Sequence, residues 1–285
     1  HILKLSCKDQ IGIVTNISSI LAKHNCNIVE SKQFTDQENG HFFIRQTFTL
    51  SNINVLSKLE DDLLILSNDL NAEFFLSDIQ SSMNTIMLVS KFDHCLNDIL
   101  YRVRNNSLNL NIKAIVSNHK IAEEIANFSK IPFYYFPVDK SNKEKQELKI
   151  KNLIIKNDVE MIVLARYMQV LSEEFTNEFV GKIINIHHSF LPSFKGAKPY
   201  HQAFERGVKV IGATAHYVTS DLDEGPIIEQ DTQVVDHEMM PNNLVSMGRD
   251  IESRVLYRAL KAHSERRVFL NGNRTVVFKG HRILG

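Results

Sequence analysis

The stretch "VEMIVLA", residues 159 to 165, is apolar almost throughout, and "KIINIHH", residues 182 to 188, repeats the pattern after a segment long enough for a helix. "TIMLVS", "IKAIVSN" and "PFYYFPV" come before them as further short apolar runs, and the segments between carry helical spacing, as in Leu148, Leu153 and Ile154. Strands that alternate with helices in this way build a mostly parallel open sheet, Rossmann-like, through right-handed βαβ crossovers. After "KIINIHH" come "GVKVIGATAHYVT" and "GPIIEQDTQVV". A long amphipathic segment from about Asn242 to His263 follows, and then "RRVFLNGNRTVVF", which reads as a hairpin turning at "NGN".

The front of the chain reads differently. "LKLSC" alternates, Val14, Ile17, Ile20 and Leu21 recur at helical spacing, and "NCNIVESKQF" is a second strand. Phe42, Ile44, Phe48 and Leu50 share one face of a third strand, Leu56, Leu59, Leu63 and Leu66 mark a second helix, and "AEFFLSDI" makes a fourth strand. The order βαββαβ predicts a ferredoxin-like unit with both helices on one face of an antiparallel sheet. "IQSSM", residues 79 to 83, is polar enough to link the two units, so the expected domains are 1–80 and 84–285.

Composition narrows the function. A chain of 285 residues, 43% hydrophobic, has material for two ordinary cores. Lys plus Arg equal Asp plus Glu at 33 each, so no net field favours nucleic acid or an anionic membrane as partner, and a small ligand read locally is expected. Cys7, Cys26 and Cys95 form no CxxC pair, which suits free thiols in a reducing, cytoplasmic setting. No apolar run approaches the roughly 18 residues of a membrane span, and "HILKLSCKDQ" lacks a signal-peptide pattern. The chain opens at His1 without a Met, so native residues are expected before it.

In an open parallel sheet the ligand crevice lies beyond the carboxyl ends of the strands. "KIINIHH" delivers Asn185 and His187 there, on the same side because side chains alternate along a strand. "VIGATAHYVT" brings His216, and the turn "SDLDEGP" carries Asp221, Asp223, Glu224 and Gly225. An amide, an imidazole and a carboxylate are what is needed to polarise a carbonyl and manage protons at neutral pH. The plain alternative is that each of these residues only closes a turn. A metal reading of His187, His188, His201 and His216 lacks an HxxxH or HExxH pair and any nearby Cys, so no metal is expected.

"INIHHSFLP" with "GATAHYVTSDLDEGPII" resembles the core signature of the folate-dependent formyltransferases. That resemblance implies a formyltransferase-like catalytic domain that takes 10-formyltetrahydrofolate, with Asn185, His187 and Asp223 as its catalytic set. "LARYMQVLSEEF" is similar to the segment that lines the family's pterin pocket, which implies Met168, Val170 and Leu171 as walls, with His216 and Gly225 also against the substrate. "DQIGIVTNISSILAKHNCNIVE" resembles the first half of an ACT domain, a regulatory module that often binds amino acids at paired copies. On that resemblance Asp9, Gly12, Asn27 and Ile28 are the effector residues, methionine or glycine the effector, and a homo-oligomer the assembly. The plain alternative is that Gly12 permits a turn and Asn27 a positive φ.

Relatives that formylate glycinamide ribonucleotide have a Gly-rich loop at the first βα turn, where a helix N-terminus holds the phosphate. This chain has "VSKFDHCLNDIL" there, with Asp93 and no Gly, and its neutral balance does not suit a tRNA acceptor. An ACT-like module ahead of the catalytic domain, together with "NIHHSFLP", "GAKPYHQAFERG", "LDEGPII" and "NGNRTVVF", is similar to the formyltetrahydrofolate deformylase family. His188 stands where transferases more often have Pro. The implied reaction is hydrolysis of 10-formyltetrahydrofolate to tetrahydrofolate and formate, with no cofactor, in support of one-carbon balance and purine synthesis. The alternative is formyl transfer to an unphosphorylated amine. Lys198 stands where that resemblance leads one to expect Arg.

Overall fold

The computed structural model describes residues 1–139, 141–192 and 199–280, so Lys198 lies outside the described residues. They divide into two compact units. The first comprises His1–Ser81, Glu265–Phe269 and residues 276–280; the second comprises Ser82–Ser264 and Leu270–Thr275.

The first unit runs β1 (Ile2–Lys8), α1 (Ile13–Lys23), β2 (Cys26–Asp36), β3 (His41–Leu50), α2 (Leu56–Leu70) and β4 (Glu73–Ser77). The strands stand in the order β2-β3-β1-β4, every pair antiparallel, which is the ferredoxin-like arrangement. Period-2 alternation sends Leu3, Leu5 and Cys7 of β1, and Phe42, Ile44 and Phe48 of β3, into one core with Ile13, Ile17 and Leu21 of α1 and Leu59, Leu63 and Leu66 of α2. Burying each such side chain contributes about 1.5–3 kcal/mol. The α1 stripe runs Ile13, Ile17 and Leu21, so it starts one position before the expected Val14, which is 37% exposed.

The opposite sheet face is covered by the end of the chain. Phe43 meets Phe269 edge-on at 5.5 Å, and Phe269 meets Phe278 at 5.6 Å. The Lys4 ammonium donates to the Val268 carbonyl at 2.6 Å, and Arg45 Nε donates to the Glu265 carbonyl at 3.1 Å. Residues 265–269 and 276–280 thus group with the first unit, which departs from the expected single stretch 84–285. The cause is the apolar Phe43 side of the sheet, which a four-stranded unit with helices on one face leaves open.

The second unit runs β5 (Met83–Val89), α3 (His94–Arg104), β6 (Leu110–Ser117), α4 (Glu123–Phe128), β7 (Phe133–Tyr135), α5 (Lys143–Lys156), β8 (Met161–Ala165), α6 (Glu173–Glu178), β9 (Ile183–His187), α7 (Pro199–Glu205), β10 (Val210–Tyr217), β11 (Ile227–Val234) and α8 (Pro241–Ser264). The sheet order is β11-β10-β9-β8-β5-β6-β7. From β9 to β7 all pairs are parallel, whereas β10 is antiparallel to both β9 and β11. The chain steps outward through β5, β6 and β7, then resumes on the other side of β5 with β8, which makes a switch point between β5 and β8. All five residues of β8 are buried, as its unbroken apolar run requires. On α5 the buried stripe centres on Ile150 and leaves the expected Leu148 outward, 57% exposed.

Helix α8 packs on β10, β11 and α3, and its buried residues include Gly248, Ile251, Glu252, Val255, Leu256, Ala259 and Leu260. A Cβ at Gly248 would stand 2.1 Å from the Tyr200 ring, so glycine admits that aromatic from α7. The terminal hairpin pairs β12 (Val268–Asn271) with β13 (Arg274–Val277) and turns at Gly272, φ 62, within the expected "NGN".

Candidate active site

The site forms where β9, β10 and the loop after β10 meet. Asn185 and His187 share one side of β9, and antiparallel pairing sets His216 of β10 directly across from Asn185. Asn185 Nδ2 lies 3.2 Å from His216 Nε2. His216 Nδ1 donates to the Tyr217 carbonyl at 2.9 Å, which puts its proton on Nδ1 and leaves Nε2 to accept from the Asn185 amide.

Asp223 arrives from the loop that joins β10 to β11. The loop crosses back over the end of β10 so closely that a Cβ at Gly225 would stand 1.8 Å from the Tyr217 carbonyl oxygen, and only glycine fits. Asp223 takes a left-handed φ of 57. Its Oδ1 reaches His187 Nδ1 at 3.3 Å and His216 Nε2 at 3.7 Å. Burial pushes the Asp223 carboxyl upward, but the hydrogen bond from His187 and the nearness of both imidazoles outweigh it, and the group is held well below the usual carboxylate range. It remains an anion.

With Nδ1 of His187 on Asp223, the other ring nitrogen is the one left to act as a base. His187 Nε2 is buried and has no protein hydrogen-bond partner. The ring lines a cavity of about 270 Å³ together with Asn185, His216 and Asp223. Met168, Val170 and Leu171, in the loop after β8, form another part of its wall, with Met168 and Val170 more than half exposed. The Met168 amide donates to the Ser90 hydroxyl at 3.0 Å, and Glu147 of α5 accepts from both the amide and hydroxyl of Ser172, so the loop is tied at two points. Gly225 shapes the loop beneath the wall and is not part of it.

Arg166 and Glu252, which sequence reasoning left out, and His188, which it named without a role in the reaction, stand beside this set. Arg166, 8% exposed, lines the cavity with φ 64. His188 stacks edge-on to His187 at 5.0 Å, and burial, then the charges of Arg166 and His187, bring its pKa down from 6.5 to about 3. Glu252, its side chain 1% exposed, accepts from Tyr200 and from His94, each at 2.8 Å. Burial pushes the Glu252 carboxyl up, and the His94 hydrogen bond with the Arg166 charge overcomes this and keeps it ionised. A charge at position 252 on the buried stripe of an amphipathic helix was a readable signal; a lone Arg after "VEMIVLA" was not.

Among the described residues one group has metal-ligand atoms within 4.8 Å of each other, namely His94, Cys95 and Glu252. It is not the histidine set weighed from sequence. Burial, then Glu252, raise the Cys95 thiol so that it keeps its proton, and Arg166 supplies the positive charge beside Glu252.

In the first unit, Gly12 stands at the start of α1 with φ 96, and the exposed Asp9 donates its amide to the Gly40 carbonyl at 2.9 Å. Asn27 is exposed on β2 opposite Thr49, and Ile28 is half-buried opposite Phe48. The positive φ considered for Asn27 falls on Asn25, φ 54, which makes the turn before the strand.

Residues 83–260 match the formyl transferase family and residues 1–63 match the ACT domain family. The formyltetrahydrofolate deformylase of Corynebacterium sp. (strain P-1) is 44% identical over 280 residues, 98% of this chain and 98% of that protein. That of Bacillus subtilis (strain 168) is 44% identical over 278 residues, 97% of this chain and 93% of that protein. A crystal structure of formyltetrahydrofolate deformylase from Burkholderia mallei matches with a TM-score of 0.94 at 44% identity and covers 98% of this chain and 99% of that one.

Proposed function

This chain belongs to the formyltetrahydrofolate deformylase family, and from that premise we propose that it hydrolyses 10-formyltetrahydrofolate to tetrahydrofolate and formate. The carrying observation is the chain of contacts at 3.2, 3.7 and 3.3 Å that joins Asn185, His216, Asp223 and His187 in turn on one cavity wall.

The residue roles follow from the hydrogen bonds. Water adds to the formyl carbon, and the carbonyl oxygen becomes an oxyanion. Asn185 gives one N–H to His216 and has a second for that oxyanion. His187 Nε2 accepts the proton of the attacking water, while Asp223 fixes the Nδ1–H tautomer and balances the imidazolium charge. The same imidazolium then protonates the departing folate nitrogen as the C–N bond breaks. Asp223 stays ionised throughout, so it orients and balances the imidazole, a narrower task than moving the proton itself. Folate is the substrate, and this chemistry asks for no resident cofactor. Met168, Val170 and Leu171 offer the apolar wall a pterin ring needs.

Asp93 at the start of α3 adds a negative charge where a phosphate-bearing acceptor would need a positive field, which supports water over a phosphorylated acceptor. Transfer to an unphosphorylated amine is the second reading, and the deformylase identity of the relatives does not favour it. For the first unit, the ACT match supports a small-molecule effector, with methionine and glycine as the candidates and a homo-oligomer as the assembly. No helix among the described residues is long and apolar enough to cross a membrane. A cytoplasmic setting, with a role in one-carbon balance and formate supply for purine synthesis, completes the reading. Incubating the purified chain with 10-formyltetrahydrofolate and no amine tests it; formate must appear in step with tetrahydrofolate.

A further inference from the structure

Arg166 occupies a place that its backbone does not favour and that the proposed steps do not use. Non-glycine residues seldom take φ 64, and an arginine kept there points to a use for its side chain. The side chain is 8% exposed and lines the catalytic cavity. Its guanidinium lies 5.3 Å over the Phe92 ring, and Nε stands 3.4 Å from Glu252 Oε2.

Glu252 balances the charge of Arg166 without satisfying its hydrogen bonds. Its Oε1 takes the Tyr200 hydroxyl and its Oε2 takes His94, each at 2.8 Å, so short bonds already engage both oxygens. Arg166 Nε is left buried with no hydrogen-bond partner, as is His187 Nε2 in the wall of the same cavity. Two buried, unpartnered nitrogens, one on a permanent cation, belong to residues that line one small cavity, and together they suit a small planar anion with two oxygens.

We propose that Arg166 and the unpartnered Nε2 edge of His187 form the subsite for the carboxylate product, formate. The proposal rests on the hydrolytic reading, in which the formyl carbon leaves as a carboxylic acid that is ionised at neutral pH. One oxygen of that anion descends from the oxyanion beside Asn185 and the other from the water beside His187. As the C–N bond breaks the imidazolium gives its proton to the folate nitrogen, the formic acid so formed passes its remaining proton to the freed His187 Nε2, and Arg166 holds the resulting anion apart from tetrahydrofolate.

The test titrates 13C-formate into the full chain without folate, follows line broadening, and measures formate as a product inhibitor in the hydrolysis assay. Formate binds the native chain in preference to chloride and propionate. Arg166→Gln weakens it by about tenfold or more, the loss of a charge-assisted hydrogen bond. Arg166→Lys falls between, since it keeps the charge and loses the planar fork. Equal formate binding by Arg166→Gln and the native chain, or no preference for formate over chloride, overturns the proposal. Should Arg166→Gln fail to fold by circular dichroism, Arg166→Lys decides, and formate affinity equal to the native chain's overturns it. Hydrolysis without formate binding removes this subsite alone, whereas formate binding without hydrolysis removes the functional reading and keeps the subsite.

Discussion

At the rim of the seven-stranded sheet, Asn185, His216, Asp223 and His187 are linked in turn by contacts of 3.7 Å or less, and the His187 and Asp223 side chains are 5% and 12% exposed. At the start of the four-stranded sheet, Asp9 and Gly12 meet the backbone needs of a turn and a helix start, while Asn27 is exposed on its strand. The first place is assembled by pairing within one chain, because β9 and β10 are adjacent and the Gly225 crossing returns Asp223 to them. The second offers polar groups that nothing in its own unit has drawn together. A reacting centre has to be preorganised before the substrate arrives, whereas a sensor has to be left able to change when its ligand binds.

The strongest way to break this contrast is Asp223→Asn. The amide keeps the size but removes the anion that fixes the His187 tautomer, so turnover falls by about 10³-fold or more with the fold intact. If steady-state rates fall less than tenfold, the rim is a turn and nothing more. Asn185→Ala comes next, with a loss of about 10²–10³ in turnover and folate binding within a few-fold; an equal loss in substrate affinity would place Asn185 in binding instead. His187→Ala removes the proton acceptor and sits in the same range.

A smaller effect separates His188 from its catalytic neighbour. The fold favours the neutral ring, so as pH drops the unfolded chain takes up a proton that the native state refuses. The stability concerned is whole above 6.5 and is lost on the way down toward about 3. Between pH 6.5 and 5 the native chain therefore loses up to about 2 kcal/mol that His188→Gln does not, read by urea unfolding at each pH. Parallel curves for the two proteins would show that position 188 does not titrate this way.

The smallest effect belongs to the first unit. Asn27→Ala changes stability by no more than about 0.5 kcal/mol because the residue is exposed. If the unit senses an amino acid, the same change weakens the response of formate release to methionine or glycine, a coupling on the order of 1–3 kcal/mol. A response that is identical in Asn27→Ala moves the effector elsewhere.

The elements were readable from sequence because apolar periodicity is a local property. "VEMIVLA" had to be a doubly covered strand, and Asn185 and His187 had to share a side. The pairing of His216 with Asn185 was not readable, since an antiparallel register between β9 and β10 is set by contacts far apart in the chain. Gly225 was assigned to the substrate, whereas its close approach to Tyr217 makes it the residue that returns Asp223 to the histidines. The placement of Phe269 and Phe278 with Phe43 was equally hidden, because a hairpin pattern does not say which face it will cover.

The most direct measurement is hydrolysis in 18O-labelled water with no amine present. The purified chain must release one formate per tetrahydrofolate, and each formate must carry one solvent oxygen beside the original formyl oxygen. Asn185→Ala must lower that rate by about 10²–10³-fold without changing the label pattern. Formate that appears only when an amine is added, or that carries no solvent oxygen, would contradict the hydrolytic reading.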